Sequence, residues 1–210
     1  MLESKVRRYF PWQFGVDYDE VGKGSGQDVW DEQLDVRQLL RSQDITEWVI
    51  VSTGMFTSYL FEPSFGVVDM ANKTVFALGD WDNAVTLTTP EDIGLLTTEI
   101  FFTEPTIVNQ VVYVAGDTIT YMQLADMLES ISGQNIRREK LSLARLKSDV
   151  LVSHGETASK YRLAFARKTG VSWDMNKTFN AQKGLKVKSV PQWLRENPAY
   201  LPVLQHEINA

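Results

Sequence analysis

Residues 47–53 read Glu-Trp-Val-Ile-Val-Ser-Thr, and this run decides the fold class. It is short, rich in β-branched residues and apolar at consecutive positions, as a strand covered on both faces is. Such strands belong to parallel sheets flanked by helices, so a crossover helix and a second strand should lie nearby. Upstream, residues 6–10 (Val-Arg-Arg-Tyr-Phe) form a short strand-like run ended by Pro11. Residues 15–27 are rich in Gly and Asp and read as a loop. Residues 29–43 then place Val36, Leu39 and Leu40 at helical spacing. Asp28 is the expected N-cap, with Asp31 and Glu32 in the first turn, where the helix dipole favours acids. Strand, helix and strand make a βαβ unit with a right-handed crossover.

After Gly54 the pattern changes to an irregular aromatic stretch containing Phe56, Tyr59, Phe61 and Phe65. Residues 74–78 and 84–88, around Gly79-Asp80-Trp81-Asp82-Asn83, are expected to form a hairpin. Thr89-Pro90-Glu91-Asp92 is a helix start, with Thr as N-cap, Pro in the first turn and acids behind it. Residues 110–115 read as a strand. Thr120 and Gln123 form a capping box for a helix to about residue 132, which Gly133 stops. Residues 141–151, 156–168 and 189–196 read as helical, and Val187 as a short edge strand. The fold class is α/β with an α+β C-terminal part.

The composition narrows the function classes. Of 210 residues, 43% are hydrophobic, enough for one core or for a domain with a subdomain. The balance of 27 acids against 21 bases, with no basic stripe, argues against a nucleic-acid partner. The chain has no cysteine, which removes disulfides, thiolate nucleophiles and iron–sulfur sites. The N-terminal residues lack a signal-peptide apolar stretch, and no apolar run approaches the roughly 20 residues of a membrane span. A cytoplasmic protein without membrane contact is expected. Asp80, Asp82 and Asn83 lack the further ligands of a calcium loop, so no metal site is expected. His154 and His206 lack a readable partner acid and nucleophile. The loop Gly22-Lys-Gly-Ser-Gly26 has neither the spacing nor the preceding strand of a dinucleotide fingerprint. More suggestive are Trp12 and Phe14, after the first strand, and Met55, Phe56 and Tyr59, after the second, with Trp81 further on. In a parallel sheet both strand ends emerge at the carboxyl edge, where ligands bind. Periodicity leaves open whether these side chains face a ligand or the core.

At these residues the sequence resembles a known family. Residues 6–17, Val-Arg-Arg-Tyr-Phe-Pro-Trp-Gln-Phe-Gly-Val-Asp, are similar to the segment VKRF-P-S-E-F-G-V-D of NmrA-like and isoflavone-reductase-like proteins, atypical short-chain dehydrogenases/reductases. Asp31-Glu-Gln33 with Val36-Arg37 resembles the family's DEK…VR helix. Residues 86–94 (TLTTPEDIG) resemble its EDIG element, and residues 120–128 its LSFNELA-like helix. The resemblance covers residues 5–150. It implies a Rossmann-like NAD(P)-binding part, of which residues 1–70 are the C-terminal portion, and a substrate-binding subdomain over residues 71–210. It implies an NAD(P)H-dependent oxidoreductase of secondary metabolism, shortened at its N-terminus, whose substrate is a small aromatic metabolite. By the same resemblance, Phe14 and Gln33 face the NADP(H) nicotinamide, and Trp12, Met55, Phe56 and Tyr59 bind substrate. Two departures stand out. The family's glycine-rich phosphate turn is missing ahead of residue 6, and Gln33 stands where the reductases carry a catalytic Lys. Glutamine can only exchange hydrogen bonds. A non-catalytic binding or regulatory protein is therefore the alternative, and an exposed sheet edge is expected to recruit a protein partner or a second copy.

Overall fold

The computed structural model describes residues 6–24 and 28–201. The strand expected at residues 47–53 is present. β1 (Arg8–Tyr9) pairs in parallel with β2 (Glu47–Ser52), Arg8 opposite Glu47 and Tyr9 opposite Trp48. Between them run a single turn, α1 (Tyr18–Val21), and the crossover helix α2 (Asp31–Arg41). Alternate residues of β2 explain its continuous apolarity. Trp48 and Ile50 pack with Leu40 of α2, while Val49 and Val51 pack with Leu96 and Ile100 of α4 (Pro90–Phe102). Each such buried side chain contributes about 1.5–3 kcal/mol. On its other side β2 pairs in parallel with β7 (Gln110–Tyr113). The outer edge of β1 has no strand partner among the described residues, and exposed Phe102 lies on α4 beside Phe101, whose ring meets Phe10.

The expected hairpin does not form. β5 (Thr74–Leu78) pairs antiparallel with β4 (Val68–Asp69) and parallel with β9 (Arg137–Leu141). β6 (Ala84–Thr88) joins a different sheet, parallel to β3 (Met55–Phe56) and antiparallel to β8 (Asp117–Thr120). The link between β5 and β6 is not a reversing turn. Gly79 takes φ +79°, and the Asn83 side chain donates to the Leu78 carbonyl at 2.9 Å, so the chain crosses from one sheet to the next. β9 was not legible because Arg-Arg-Glu-Lys-Leu carries no apolar alternation; its pairing with β5 is what fixes it. Val187 is not a strand either.

The capping signals hold. Thr89 Oγ1 accepts from the Asp92 N–H at 3.1 Å. Thr120 and Gln123 form the capping box of α5 (Tyr121–Ser132), and Gly133 ends it in the left-handed region. Further helices are α3 (Thr57–Leu60), α6 (Leu143–Val152), α7 (Thr157–Phe165), α8 (Phe179–Gln182) and α9 (Val190–Glu196). One cap differs from expectation. α2 starts at Asp31 with Trp30 at the N-cap and no side-chain cap, because the Asp28 carboxylate pairs instead with Lys160 of α7. His154 is exposed, and His206 lies outside the described residues. No helix among the described residues is long and apolar enough to cross a membrane, and no group of three or more acids or histidines there could hold a metal ion.

Candidate functional site

The segment leaving β1 folds back over the carboxyl end of β2. The Gly15 carbonyl accepts from both the Thr53 N–H (2.9 Å) and the Gly54 N–H (3.0 Å), which staples the two strand ends together. Both glycines are sterically required. A Cβ on Gly15 would lie 2.2 Å from the Tyr18 hydroxyl, and one on Gly54, at φ +73°, would lie 2.1 Å from the Thr86 carbonyl oxygen. The stapled ends, the face of α2 and the side of α7 enclose a cavity of about 330 Å3.

Trp12, Phe14, Gln33, Met55, Phe56 and Tyr59 all line this one cavity. Trp81 does not; it packs against the main core. Sequence reasoning missed the far wall. Trp30 and Tyr161 have ring centroids 5.7 Å apart, Tyr59 and Tyr161 5.7 Å, and Trp30 and Phe165 5.6 Å. Trp12, 73% exposed, stands at the rim edge-on to Phe14. No Asp, Glu, Lys, Arg or His is among the lining residues. The two phenols whose acidity is perturbed stay protonated at neutral pH: burial pushes Tyr18 up to about 12, against the opposing charge of Arg37, and burial also raises Tyr59. The cavity is therefore aromatic and uncharged.

Its one amide is oriented from behind. Arg37, fully buried, donates through Nε to Gln13 Oε1 at 2.9 Å. Gln13 Nε2 then donates to the Gln33 carbonyl oxygen (2.7 Å) and to Gln33 Oε1 (3.1 Å). Arginine has no acceptor, so the direction of this relay is fixed along its length. Gln33 Oε1 is occupied, and Gln33 Nε2 is the group left to donate into the cavity. Arg37 also donates to Asp17 (3.1 Å), Asp19 (2.8 Å) and Ser52 Oγ (3.2 Å), and its guanidinium lies 4.7 Å from the Tyr18 ring centroid. The signal for Arg37 was present: it shares the buried face of α2 with Leu40, a charged residue in an apolar stripe. Tyr161 and Phe165 gave no signal, since nothing local ties α7 to the ends of β1 and β2.

Asp19 accepts from Arg41 (2.6 and 2.7 Å) as well as Arg37, and these bonds hold its carboxyl down at about 2. A depressed carboxyl pKa stabilises the fold above the usual carboxylate value and loses that contribution as pH falls through the folded one. Acid titration followed by circular dichroism is therefore expected to show stability falling between about pH 4 and pH 2. The variant Asp19→Asn should have a flatter curve there; an unchanged curve would remove this pair from the acid transition.

Residues 1–190 match the family model described as the NmrA-like family. The chain belongs to the NmrA-like family. Among its relatives, an NmrA-like family domain-containing oxidoreductase of Gibberella moniliformis is 42% identical over 197 residues, 93% of this chain and 64% of that protein. This NmrA-like chain spans less than two thirds of the length of the curated relatives it matches. Its fold is that of a crystal structure of isoflavone reductase, with TM-score 0.73 and 18% identity over 91% of this chain and 66% of that one. A structure of AtPrR2 with NADP+ and (+)-pinoresinol is also similar, with TM-score 0.67 and 17% identity over 90% and 64% of the two chains. The resemblance to NmrA-like and isoflavone-reductase-like proteins is thus correct, as is the α/β class with a Rossmann-like parallel sheet.

Proposed function

We propose that this NmrA-like chain forms the nicotinamide-side and substrate-side part of an NAD(P)H-dependent reductase acting on a small, uncharged aromatic metabolite. The observation that carries this reading is the cavity, in which aromatic rings from four parts of the chain surround a single oriented amide and no ionised side chain. Burying a charged ligand there would cost far more than burying a neutral one. In this reading residues 1–70 are the C-terminal portion of the Rossmann-like part, to which α4 and β7 return, and the remainder of residues 71–210 is the substrate side.

The residues fit one end of the cofactor and not the other. Phe14 and the Gln33 Nε2 donor suit a ring bearing a carboxamide. For the pyrophosphate, the loop at Gly22 follows the short helix α1 rather than a strand, and its Ser25 and Gly26 lie outside the described residues. A bound NAD(P)H would supply hydride. Trp12, Met55, Phe56 and Tyr59 would hold the substrate against it, and Gln33 would hold an acceptor oxygen without moving a proton. The open edge of β1 is where another segment or a partner chain would add. Gln33 in place of a lysine favours a second reading, a binding or regulatory protein of the same family without turnover.

Tryptophan fluorescence with a neutral isoflavone such as genistein tests the cavity. Saturable quenching with Kd on the order of 10–100 µM is expected, weakened about tenfold in Tyr59→Ala, a loss of about 1.4 kcal/mol. NADPH alone should bind the chain weakly, because among the described residues no glycine turn links a strand to a helix N-terminus that could cradle its pyrophosphate. No quenching by the aromatic, or micromolar binding of NADPH alone, would sink this reading.

A further inference from the structure

Tyrosines reach the aromatic cavity from three separate elements: Tyr18 on α1, Tyr59 on α3 and Tyr161 on α7. Their rings are packed. Tyr59 and Tyr161 meet edge-on with centroids 5.7 Å apart, and Trp30 sits between Tyr161 (5.7 Å) and Tyr18 (5.8 Å). Their hydroxyls are not engaged. Among the described residues, none of the three makes a hydrogen bond to another protein group. Tyrosines elsewhere do: Tyr113 donates to Asp17, and Tyr121 donates to the Phe165 carbonyl at 3.3 Å.

Nor are these hydroxyls sealed in. Tyr18 as a residue is only 6% exposed, yet its oxygen is not among the fully buried polar atoms that lack a partner. The oxygen therefore keeps accessible surface of its own, and the cavity that Tyr18 lines is where that surface opens. The Tyr59 and Tyr161 oxygens are likewise accessible. Gly15 provides the room that the Tyr18 oxygen occupies, since a Cβ there would lie 2.2 Å from it. Burial is the main cause of the raised pKa of Tyr18 and of Tyr59, and in both the Tyr161 phenol adds to the rise, so Tyr161 lies within electrostatic reach of each.

A hydroxyl both donates and accepts, whereas the Gln33 Nε2 group only donates. A ligand oxygen that carries a hydrogen can donate to one phenol and accept from another. A methyl ether can only accept, and it brings a methyl group into the space beside the phenols. A bare ring edge would cover the hydroxyls and leave them unpaired, which buried polar groups rarely tolerate. A site that pairs with a ligand hydroxyl rejects the analogue lacking it far more strongly than an apolar pocket rejects a missing methylene.

We propose that Tyr18, Tyr59 and Tyr161 are specificity-determining residues, whose hydroxyls form a subsite for a free hydroxyl of the aromatic ligand, in preference to its methyl ether or to an unsubstituted ring. This rests on the reading of the cavity as a site for an uncharged aromatic, and it adds a second polar contact to the one that Gln33 supplies.

Tryptophan fluorescence of the full chain tests this with probes of one skeleton, since Trp12 and Trp30 both line the cavity. Daidzein carries a hydroxyl on each terminal ring, daidzein dimethyl ether carries methoxy groups there, and isoflavone itself carries neither. All keep the carbonyl that Gln33 would hold. Daidzein is expected to bind about tenfold tighter than either of the others. Tyr161→Phe and, separately, Tyr18→Phe keep the ring and remove one oxygen, and each should shrink that preference by about threefold. Equal affinity for all the probes, or a preference untouched by both substitutions, would overturn the subsite while leaving the cavity reading in place. Quenching by none of the probes would overturn both.

Discussion

Replacing Arg37 with methionine is expected to destabilise the chain by about 3 kcal/mol, although methionine fills most of the same volume. The guanidinium is completely buried and donates to five different residues counting the Val16 carbonyl. Removing it strands Gln13 Oε1 and Ser52 Oγ and leaves Asp17 with fewer donors. The cost stays at the lower end of the range for broken buried pairs because Asp19 is partly exposed and keeps Arg41. Tyr113, whose phenol donates to Asp17 and is raised by burial and by that carboxylate, would hold part of the cluster together. Urea unfolding measures the loss. A second readout separates orientation from stability: without Arg37 the Gln13 amide keeps only its Nε2 bonds to the Gln33 carbonyl (2.7 Å) and Gln33 Oε1 (3.1 Å), so Gln33 is held less rigidly. Affinity for an aromatic ligand with a carbonyl should fall more than affinity for one without. A loss below about 1 kcal/mol with unchanged ligand preference would show that the cluster is ornamental.

Gly54→Ala should be comparably damaging, by about 3–4 kcal/mol, through backbone geometry rather than charge. The new methyl carbon would sit 2.1 Å from the Thr86 carbonyl oxygen and 2.6 Å from its carbon, and neither can swing aside like a side chain. Relief requires β3 to move away from β6, and those strands share only the pairs Met55–Leu87 and Phe56–Thr88. Gly133→Ala is the control. Gly133 also has a positive φ, +64°, but nothing lies within 4 Å of its would-be Cβ. It should cost only about 1 kcal/mol, the strain of a left-handed residue alone. For a chain of this size the difference corresponds to roughly 5–10 °C in Tm. Equal melting temperatures for the two variants would mean that the β2–β3 corner yields easily.

The parts of the fold that could be read in the sequence are those settled within a few residues. β2 was legible because both its faces are covered, and the Thr89, Thr120 and Gly133 caps because each needs only a neighbouring turn. The βαβ unit followed from those pieces and the handedness of crossovers. The strands at 74–78 and 84–88 were read correctly but paired wrongly, since their true partners are charged β9 and short β8. At the candidate site, topology alone brought Trp12, Phe14, Met55, Phe56 and Tyr59 to one edge, and the family resemblance added Gln33. Topology could not supply Trp30, Tyr161 and Phe165, which reach the cavity only through tertiary packing. The identity of Gln33 was plain from the start, but the direction of its amide depends on Gln13, which the Gln33 carbonyl orients from one side and Arg37 from the other.

The aromatic cavity joins residues from nearly opposite ends of the described chain, and this sets when it can come into being. During synthesis, β1, α2 and β2 emerge together and can pair at short sequence separation, which favours early formation. Tyr161 and Phe165 leave the ribosome long afterwards. Until α7 docks, the emerging polypeptide carries a groove of unshielded rings, so this is the interval in which a chaperone has most to cover. A nascent chain stalled before α7 would already hold the βαβ unit yet lack the far wall of the aromatic cavity, making its closure a late step of maturation, with only α8, α9 and the chain behind them still to dock.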